Sequence, residues 1–540
     1  MIFHGDQLDH HDVPVHDFLM NRYEIHHKND PDTVAFQTAE DENDTVTFGQ
    51  LYKKIVQISE WFLENGYQKG DVVLLAAYNN WRCFALALGA WRAGLIVSAA
   101  SSQFTAFEMR YQIEDSQSKL ILVDTHTLPV VLEASKGLAF VKNIFSISPN
   151  PPSSVTHFDT LTARLVRNLR MPKIDPKNDL VFLPYSSGTT GKPKGVMITH
   201  LNFSMMLVSC IRFFDALAKS FGMPEDYVIP YDLHFLPMYH VMGMFRALLT
   251  SYRGTTQILF TKFDMELLLQ SVEKYSIAVL SMVPAIAVRL VNSPLLSKYD
   301  ISSLTTISVG SAPLPESAVQ KLRKLIPDLK IVQGYGMTEL TFATHMQGAD
   351  SPEGSVGKPI PGTSMKVKKE DGTLCGAHEQ GELWVKGPQM MKGYWKKEEL
   401  LQELVDEDGY MRTGDIVYFD ENGNTFICDR IKELIKVNAK QVAPAELESV
   451  ILEHDDVADV CVFGVDDANS GEKPVACVVS KGKRDAETMK AIMRHINQKL
   501  ARYKHIKEIQ FVGEILRTGT GKILRRTMKK AFLDSRKSKI

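Results

Sequence analysis

Residues 185–196 read Tyr-Ser-Ser-Gly-Thr-Thr-Gly-Lys-Pro-Lys-Gly-Val and directly follow an apolar run at residues 180–183. Within this string, three glycines let backbone N–H groups turn towards an anion, four Ser and Thr hydroxyls donate further hydrogen bonds, and two lysines supply positive charge. The string does not satisfy the Walker A pattern, and neither does any other part of the chain. Its composition alone is also typical of a surface turn, but as an ordered string after a strand it predicts an anion-binding loop.

Short apolar runs and helical stretches alternate on both sides of this loop. Residues 71–77, 119–124 and 278–284 are predicted strands. Residues 265–274 and 316–325 have apolar side chains at three-to-four spacing and are predicted helices. Because strands and helices alternate, the sequence favours an α/β architecture with largely parallel sheets.

The chain changes character near its C-terminal end. Residues 357–430 are rich in short strands and glycine turns, and Asn422-Gly423 between two alternating runs predicts a hairpin. Pro444 suits the first turn of a helix, and the strands and helix predicted after it complete a compact α+β unit. We therefore predict an α/β domain over residues 1–429 and an α+β domain over residues 430–540, with a hinge near 429–432.

The charge balance excludes several classes of protein. The 540 residues include 62 Lys+Arg and 64 Asp+Glu, a formal net charge of -2, which argues against a nucleic-acid or polybasic membrane binder. Apolar residues make up 44% and charged residues 23%, as in ordinary globular proteins. The six cysteines are scattered without metal-ligand spacing, so we expect free buried thiols in a reducing compartment.

The two ends of the chain bear on its location. The N-terminus has neither a basic region nor an apolar core, so no signal peptide is predicted. No transmembrane segment is expected either, since the apolar stretch 83–100 carries Arg92 at its centre. The last residues, Ser538-Lys539-Ile540, differ from the Ser-Lys-Leu peroxisomal signal in one position. The prediction is a peroxisomal or cytoplasmic protein, with the peroxisomal import receptor as a partner of the tripeptide.

Seven further motifs accompany the loop, in this order: Leu236-Pro-Met-Tyr-His240, Gly310-Ser-Ala-Pro313, Gln333-Gly-Tyr-Gly-Met-Thr-Glu339, Tyr410-Met-Arg-Thr-Gly-Asp415, Asp429-Arg-Ile-Lys-Glu-Leu-Ile-Lys436, Gln441-Val-Ala-Pro-Ala-Glu-Leu-Glu448 and Gly519-Thr-Gly-Lys522-Ile-Leu-Arg-Arg526. Together with the loop they resemble the adenylate-forming superfamily of acyl-CoA synthetases, luciferases and adenylation domains. The match covers residues 30–530 and is nearest to the 4-coumarate–CoA ligase-like and luciferase-like acyl-CoA ligases.

This resemblance implies a fold and a reaction. The N-terminal domain would contain two α/β sheets and a small β-rich subdomain, and the smaller C-terminal domain would be mobile. The enzyme would be an ATP-dependent ligase that joins a fatty or aromatic acid to CoA through an acyl-AMP intermediate, with Mg²⁺ bound. Two alternatives stay open: an adenylating enzyme with another acceptor (a carrier protein, or luciferase-like chemistry), and a non-catalytic nucleotide- or acyl-binding homologue.

The resemblance also implies which residues bind ATP. The loop Ser186, Ser187, Gly188, Thr189, Thr190, Gly191 and Lys194 would hold the phosphates, Thr338 the α-phosphate and Glu339 the metal. Tyr335 would stack on adenine, with Gln333, Gly334 and Gly336 beside it and Ser311, Ala312 and Pro313 opposite. Asp415 would accept the ribose hydroxyls with help from Arg430, and Lys522 would reach the α-phosphate and the acid. Lys436 and Gln441 are expected near the AMP phosphate.

The acyl pocket and the hinge are predicted in the same way. His240 would contact the acid's carboxylate, and the pocket would be lined by Val241, Met242, Gly243, Ser308 and Val309. These are mostly apolar with no charged side chain, which favours an aliphatic or aromatic acid over an amino acid. Lys432 matches the family's hinge position. Asn438 and Ala439, near the expected CoA arm, depart from the family's Lys-Gly pattern, so the departure affects thiolation and leaves the residues for adenylation in place.

Overall fold

In the computed structural model, the residues described are 1–540 except 10, 187–192, 225–226, 313, 431–432, 438–439, 468–470, 501, 519–520 and 538–540. The described helices are Val15–Asn29, Phe48–Glu64, Trp81–Arg92, Ala106–Ser116, Leu128–Ala134, His200–Ser220, Val241–Arg253, Met265–Lys274, Pro284–Val291, Glu316–Leu325, Glu399–Gln402, Pro444–Leu452, Ala486–Lys499 and Arg525–Lys537. The helices predicted over 265–274 and 316–325 are confirmed with these bounds. Apolar side chains of both are buried, as their spacing predicted.

The largest sheet has eight strands, and the anion loop leaves from one side of it. In spatial order its strands are Gly393–Tyr394, Lys194–Thr199, Leu180–Ser186, Ile96–Ala99, Val72–Ala76, Ser118–Val123, Asn143–Ser146 and Thr156–His157. Pairing is parallel from Leu180–Ser186 through Thr156–His157 and antiparallel at the other edge. The central strand Val72–Ala76 is fully buried, as an apolar strand in a parallel sheet must be.

Two smaller α/β sheets lie beside each other. One contains Tyr231–His234, Thr256–Leu259, Val34–Thr38 and Thr45–Thr47; the other contains Val279–Met282, Thr306–Val309, Lys330–Tyr335, His345–Met346 and Lys358–Pro359. Their edge strands Tyr231–His234 and Val279–Met282 are in contact. The α/β class is confirmed. The second of the two predicted α/β sheets is divided into these two sheets, because their neighbouring edge strands are not joined by backbone hydrogen bonds.

The predicted β-rich region forms an antiparallel sheet. Its strands are Ile2–His4, Ser364–Lys368, Gly381–Lys386, Met411–Phe419 and Thr425–Arg430. The predicted hairpin joins the last two, and Gly423 in its turn has a φ of 81°, a conformation that glycine adopts without steric cost.

The last sheet has a core of its own. It contains Lys440–Val442, Ile435–Val437, Gly471–Ser480 and Val457–Asp467, and Glu508–Phe511 pairs with Gly471–Ser480. Helices Pro444–Leu452 and Ala486–Lys499 contribute Leu447, Ile451, Ile492 and Ile496 to that core. The hinge residue Lys432 lies outside the described residues, so the boundary near 429–432 stays a prediction.

The helix His200–Ser220 is long and apolar enough to cross a membrane by length and composition, the one such helix in the described part of the chain. It is packed inside the protein at its start, where His200, Asn202 and Phe203 are buried. The Asn202 side chain donates hydrogen bonds to the carbonyl oxygens of Pro388 and Met390 at 2.7 and 2.9 Å. These polar contacts are typical of a core helix.

Candidate active site

A cavity of about 1170 Å³ lies at the carboxyl ends of strands from two sheets. Its wall includes the ends of the parallel strands Thr306–Val309 and Lys330–Tyr335 and the end of Leu180–Ser186. Ligands of open α/β sheets bind at this edge, because the loops that follow the strands converge there. The predicted residues found in the wall are Ser186, Lys194, His240, Val241, Met242, Ser308, Val309, Ser311, Gln333, Gly334, Tyr335, Gly336, Thr338, Glu339, Asp415 and Lys522.

Both ends of the anion loop are anchored. Ser186 and Lys194 lie opposite each other in neighbouring antiparallel strands. The hydroxyl of Tyr185 donates to the Asp115 carboxylate at 2.6 Å. The hydroxyl of Tyr111 donates to the Pro193 carbonyl oxygen at 2.8 Å. The predicted phosphate-binding residues between these ends (Ser187, Gly188, Thr189, Thr190 and Gly191) lie outside the described residues.

Glu339 lies in the short turn Thr338–Leu340 with its side chain almost fully buried. Its Oε1 accepts a hydrogen bond from the Tyr394 hydroxyl at 2.9 Å. Lys194 Nζ lies 5.1 Å from the centre of the same Tyr394 ring. The buried hydroxyl beside a carboxylate raises the pKa of Tyr394, so it stays a donor. Tyr394, which the sequence analysis did not identify, thus connects the predicted phosphate and metal residues.

The fit of Mg²⁺ to this site depends on Glu339. Magnesium is usually held by one or two carboxylates together with substrate phosphates and water. Glu339 can supply such a carboxylate. Lys194 lies against the ring of Tyr394, whose hydroxyl donates to Glu339, so a positive charge that could contact a phosphate is close by. No group of three or more metal-binding side chains occurs among the described residues, so this chain would not supply a complete metal cage.

The predicted adenosine residues contact one another. The Tyr335 hydroxyl donates to the carboxylate of Asp415, which is only 4% exposed and also lines the cavity. Asp415 pairs in register with Arg430 across neighbouring strands. Lys436 and Gln441 likewise pair with each other. The side chains of those last three residues lie outside what the structure describes.

The loop after Thr306–Val309 is placed partly as predicted. Ser311 lines the cavity with a φ of 74°, a strained conformation for a residue with a side chain. Ala312 is exposed and absent from the wall, and Pro313 lies outside the described residues. The Gln333 side-chain oxygen accepts a hydrogen bond from the Leu314 backbone N–H at 3.2 Å. Gln333 therefore holds this loop in place.

His240 stands at the start of the helix Val241–Arg253 and faces the cavity. Burial lowers the pKa of His240 to about 4, so its imidazole is neutral at physiological pH. A neutral imidazole can hydrogen-bond a carboxylate without forming an ion pair.

Gly243 is not in the described cavity wall. A Cβ at this position would overlap the carbonyl oxygen of Pro237. Its role is thus close packing at the start of the helix, which corrects the expectation that it lines the acyl pocket.

Lys522 enters the same cavity from the C-terminal unit. Its backbone N–H donates to the Thr518 hydroxyl at 3.1 Å. Arg517 fixes the preceding residues by hydrogen bonds to the Asp459 carboxylate (2.7 Å) and the Gly521 carbonyl oxygen (3.0 Å). On the far side, Arg525 forms a buried ion pair with Glu448. The segment that contains Lys522 is therefore held by contacts on both sides of the lysine.

The cavity wall beside Met242 contains charged residues that the sequence analysis missed. Arg246 lies one helical turn beyond Met242, and its guanidinium contacts Asp232 and Ser281. All three line the cavity, so its wall also contains charged side chains, which the predicted pocket residues lack. Arg246 is four residues after the predicted pocket residue Met242, so helical periodicity could have placed both on the same face.

Both ends of the anion loop, the buried carboxylates of Glu339 and Asp415, and Lys522 meet at one cavity. This arrangement is that of an adenylate-forming enzyme, and comparison with known proteins agrees. A family model described as AMP-binding enzyme matches residues 23–395. A model of the AMP-binding enzyme C-terminal domain matches residues 446–522. The chain belongs to the AMP-binding enzyme family.

Relatives and solved structures support this membership. Acyl-CoA synthetase 7 of Caenorhabditis elegans is 77% identical over 540 residues, covering 100% of both chains. The 4-coumarate-CoA ligase 1 of Narcissus pseudonarcissus is 32% identical over 90% of this chain and 89% of its own. The structure of ATP-bound MatB from Rhodopseudomonas palustris is similar with a TM-score of 0.83 and 26% identity, covering 95% of this chain and 99% of that one.

Proposed function

We propose that the protein is an ATP-dependent ligase that joins a carboxylic acid to coenzyme A through an acyl-AMP intermediate. One observation carries the proposal: a single cavity is lined by Lys194, Glu339, Asp415 and Lys522 and also by His240 at the entrance to a largely apolar lobe. Nucleotide and acid can therefore meet in one enclosed space.

In the first half-reaction, a carboxylate oxygen of the acid attacks the α-phosphorus of ATP, and the bond to pyrophosphate breaks. The approach brings two anions together, so fixed positive charge must offset their repulsion. Lys522 and Lys194 supply that charge from opposite units of the chain. In the second half-reaction, the CoA thiolate attacks the acyl carbon, and the bond to AMP breaks.

Mg²⁺ is proposed as the metal that accompanies ATP, with Glu339 as its protein ligand. When bound, the ion would neutralise charge on the phosphates. The Tyr394 hydroxyl donates to Glu339 and keeps the carboxylate oriented.

CoA is the proposed acceptor, and a fatty or aromatic acid is the proposed substrate. The names of the relatives support the acceptor, since both are CoA ligases or synthetases. Apolar side chains such as Val241, Met242 and Phe342 in the wall support the acid class. Asn438 and Ala439, expected next to the CoA arm, lie outside the described residues.

The test is product analysis by mass spectrometry after the purified protein is mixed with ATP, Mg²⁺, CoA and a panel of fatty and cinnamic acids. We expect acyl-CoA and AMP from the wild type. Acyl-AMP without a thioester would indicate another acceptor, and bound nucleotide without either product would indicate a non-catalytic homologue.

A lysine substitution tests the assigned role of Lys522. We expect Lys522→Ala to slow acyl-AMP formation at least about 100-fold, because one transition-state donor of this kind contributes that much, while ATP binding changes little. Lys530→Ala, at an exposed position of the following helix, is the matched control and should retain full activity. Adenylation by Lys522→Ala at the wild-type rate would contradict the mechanism.

We also propose that the protein acts in peroxisomes, on the basis of Ser538-Lys539-Ile540 at its end. These residues lie outside the described part of the structure. A fluorescent protein fused to the N-terminus should colocalise with a peroxisomal marker and become diffuse when the tripeptide is deleted. Colocalisation without the tripeptide would contradict the proposed signal.

A further inference from the structure

One face of the helix Val241–Arg253 forms a wall of the acyl lobe. Met242, Arg246, Leu249 and Arg253 recur at intervals of three or four residues along the helix, and all line the cavity. The carboxylate end of the lobe lies at His240, where the helix begins. Arg246 therefore lies inside the lobe, between its entrance and the arginine at the far end of the helix.

Arg246 is part of a buried polar cluster inside this apolar lobe. Its guanidinium donates to the Asp232 carboxylate and to the Ser281 hydroxyl, and both partners are almost fully buried. Arg246 also lines the cavity, with 17% of its side chain exposed. Hydrocarbon packed against the guanidinium cannot accept from its remaining N–H groups, which favours a polar substrate group beside this cluster.

The charges and the unused N–H donors of Arg246 restrict what the cluster can bind. Arg246 and Asp232 form an ion pair, so the cluster has no net charge to offer a second carboxylate. The Arg246 side chain is 17% exposed and lines the cavity, and its guanidinium has more N–H donors than the hydrogen bonds to Asp232 and Ser281 use. A hydroxyl oxygen can accept from such a donor without bringing a charge to the neutral cluster.

The helix also sets the distance between this cluster and the reacting end of the acid. Arg246 is six residues after His240, about 9 Å along the axis at ~1.5 Å per residue. An extended chain advances roughly 1.1–1.2 Å per single bond, so about eight bonds span that distance. A hydroxyl near the eighth carbon of an acid would reach the cluster while the carboxylate stays at His240.

We propose that the acyl lobe recognises a medium-chain acid with a hydroxyl group on its distal part, through the cluster of Arg246, Asp232 and Ser281. This inference rests on the proposed ligase function and specifies its substrate class. The hydroxyl would accept from the guanidinium of Arg246, whereas a plain alkyl chain would leave the remaining N–H donors of Arg246 in contact with hydrocarbon.

The test compares 8-hydroxyoctanoic acid, octanoic acid and octanedioic acid as substrates of the full-length enzyme. We expect kcat/KM for 8-hydroxyoctanoic acid to exceed that for octanoic acid at least about 10-fold, since buried polar groups of a site discriminate against substrates that cannot pair them. Octanedioic acid should be the poorest of the three, because its second carboxylate would meet Asp232.

A double substitution links the preference to the cluster. In Arg246→Met/Asp232→Leu both charges are removed together, which usually preserves folding better than removing one partner of a buried pair. We expect this variant to lose the preference for the hydroxy acid while its KM for ATP is unchanged. Arg82→Met/Asp44→Leu is the matched control, because it removes both charges of another partly buried arginine–aspartate pair that lies outside the described cavity wall.

The outcomes separate this inference from the function on which it rests. Equal or better use of octanoic acid, preferred use of octanedioic acid, or an unaltered preference in the double variant would overturn the inference alone. Absence of acyl-CoA from every acid, including hexadecanoic and cinnamic acids, would overturn the proposed function and the inference with it.

Discussion

At the scale of single residues, Tyr394 joins two parts of the nucleotide site that are far apart in the chain. Its hydroxyl donates to Glu339 at 2.9 Å, and Lys194 Nζ lies 5.1 Å from its ring centre. The backbone of Tyr394 pairs with Val196 at the edge of the large sheet. One side chain thereby sets the distance between the end of the phosphate loop and the predicted metal ligand.

We expect Tyr394→Phe to raise the Mg²⁺ concentration needed for half-maximal activity about 10-fold. The ring and its contact with Lys194 remain, but the hydrogen bond that orients Glu339 is lost, and outer partners of metal ligands contribute effects of this size. Magnesium titration of the initial rate measures the change. Tyr410→Phe, the same change at a tyrosine outside the described cavity wall, is the control. An unchanged magnesium dependence would refute the role given to the hydroxyl.

At the scale of secondary-structure elements, the helix Val241–Arg253 organises the acyl side of the site. It begins at His240, and one of its faces lines the cavity. Its first turn packs so closely on Pro237 that only glycine fits at position 243. The position of His240 relative to the acid therefore depends on this contact.

Gly243→Ala tests that dependence. The added methyl group would overlap the Pro237 carbonyl oxygen, and overpacking of this kind typically costs 1–3 kcal/mol. We expect kcat/KM for the acid to fall about 10-fold, with a smaller effect on KM for ATP, in steady-state assays that vary each substrate. Gly348→Ala, where a Cβ would meet nothing within 4 Å, should have wild-type kinetics. A normal kcat/KM for Gly243→Ala would mean that the helix start adjusts without cost.

At the scale of the whole molecule, several buried histidines make stability depend on pH. Burial lowers the pKa of His200, His234 and His345 to about 3, and that of His16 well below its ordinary value of 6.5. Each is neutral in the folded protein and binds a proton on unfolding below pH 6.5. Because the unfolded chain then binds more protons, the free energy of unfolding is fully retained above pH 6.5 and falls as pH decreases towards 3.

His200→Leu should flatten this dependence. His200 is fully buried beside His16, and positively charged Lys69 further lowers its pKa. The variant no longer takes up that proton, so we expect the slope of unfolding free energy against pH between 4 and 6 to fall by up to about 1.4 kcal/mol per pH unit. Urea denaturation at several pH values measures it. His378→Gln at an exposed position is the control, and an unchanged slope in His200→Leu would contradict the assignment.

Much of the fold and the nucleotide site could be predicted because the responsible signals are local. Helical periodicity gave the helices Met265–Lys274 and Glu316–Leu325, and Asn422-Gly423 gave the hairpin, since each depends on neighbouring residues. The ordered motifs predicted the family, which the family models confirm. Their residues reach one cavity because strands of a sheet end at a common edge.

Only the tertiary structure decided which side chains meet across that cavity. Tyr394 contacts Glu339 although the two are 55 positions apart in the sequence, and no local sequence pattern predicts a contact between such distant residues. Gly243 and Ala312 belong to the predicted motifs, yet close packing on Pro237 and exposure at a loop keep them out of the described cavity wall. Arg246 lies in an apolar helix and meets Asp232 from a neighbouring sheet, because packing of the helix on that sheet brings their side chains together. Local sequence determines elements and motifs, whereas contacts between elements depend on how the whole chain packs.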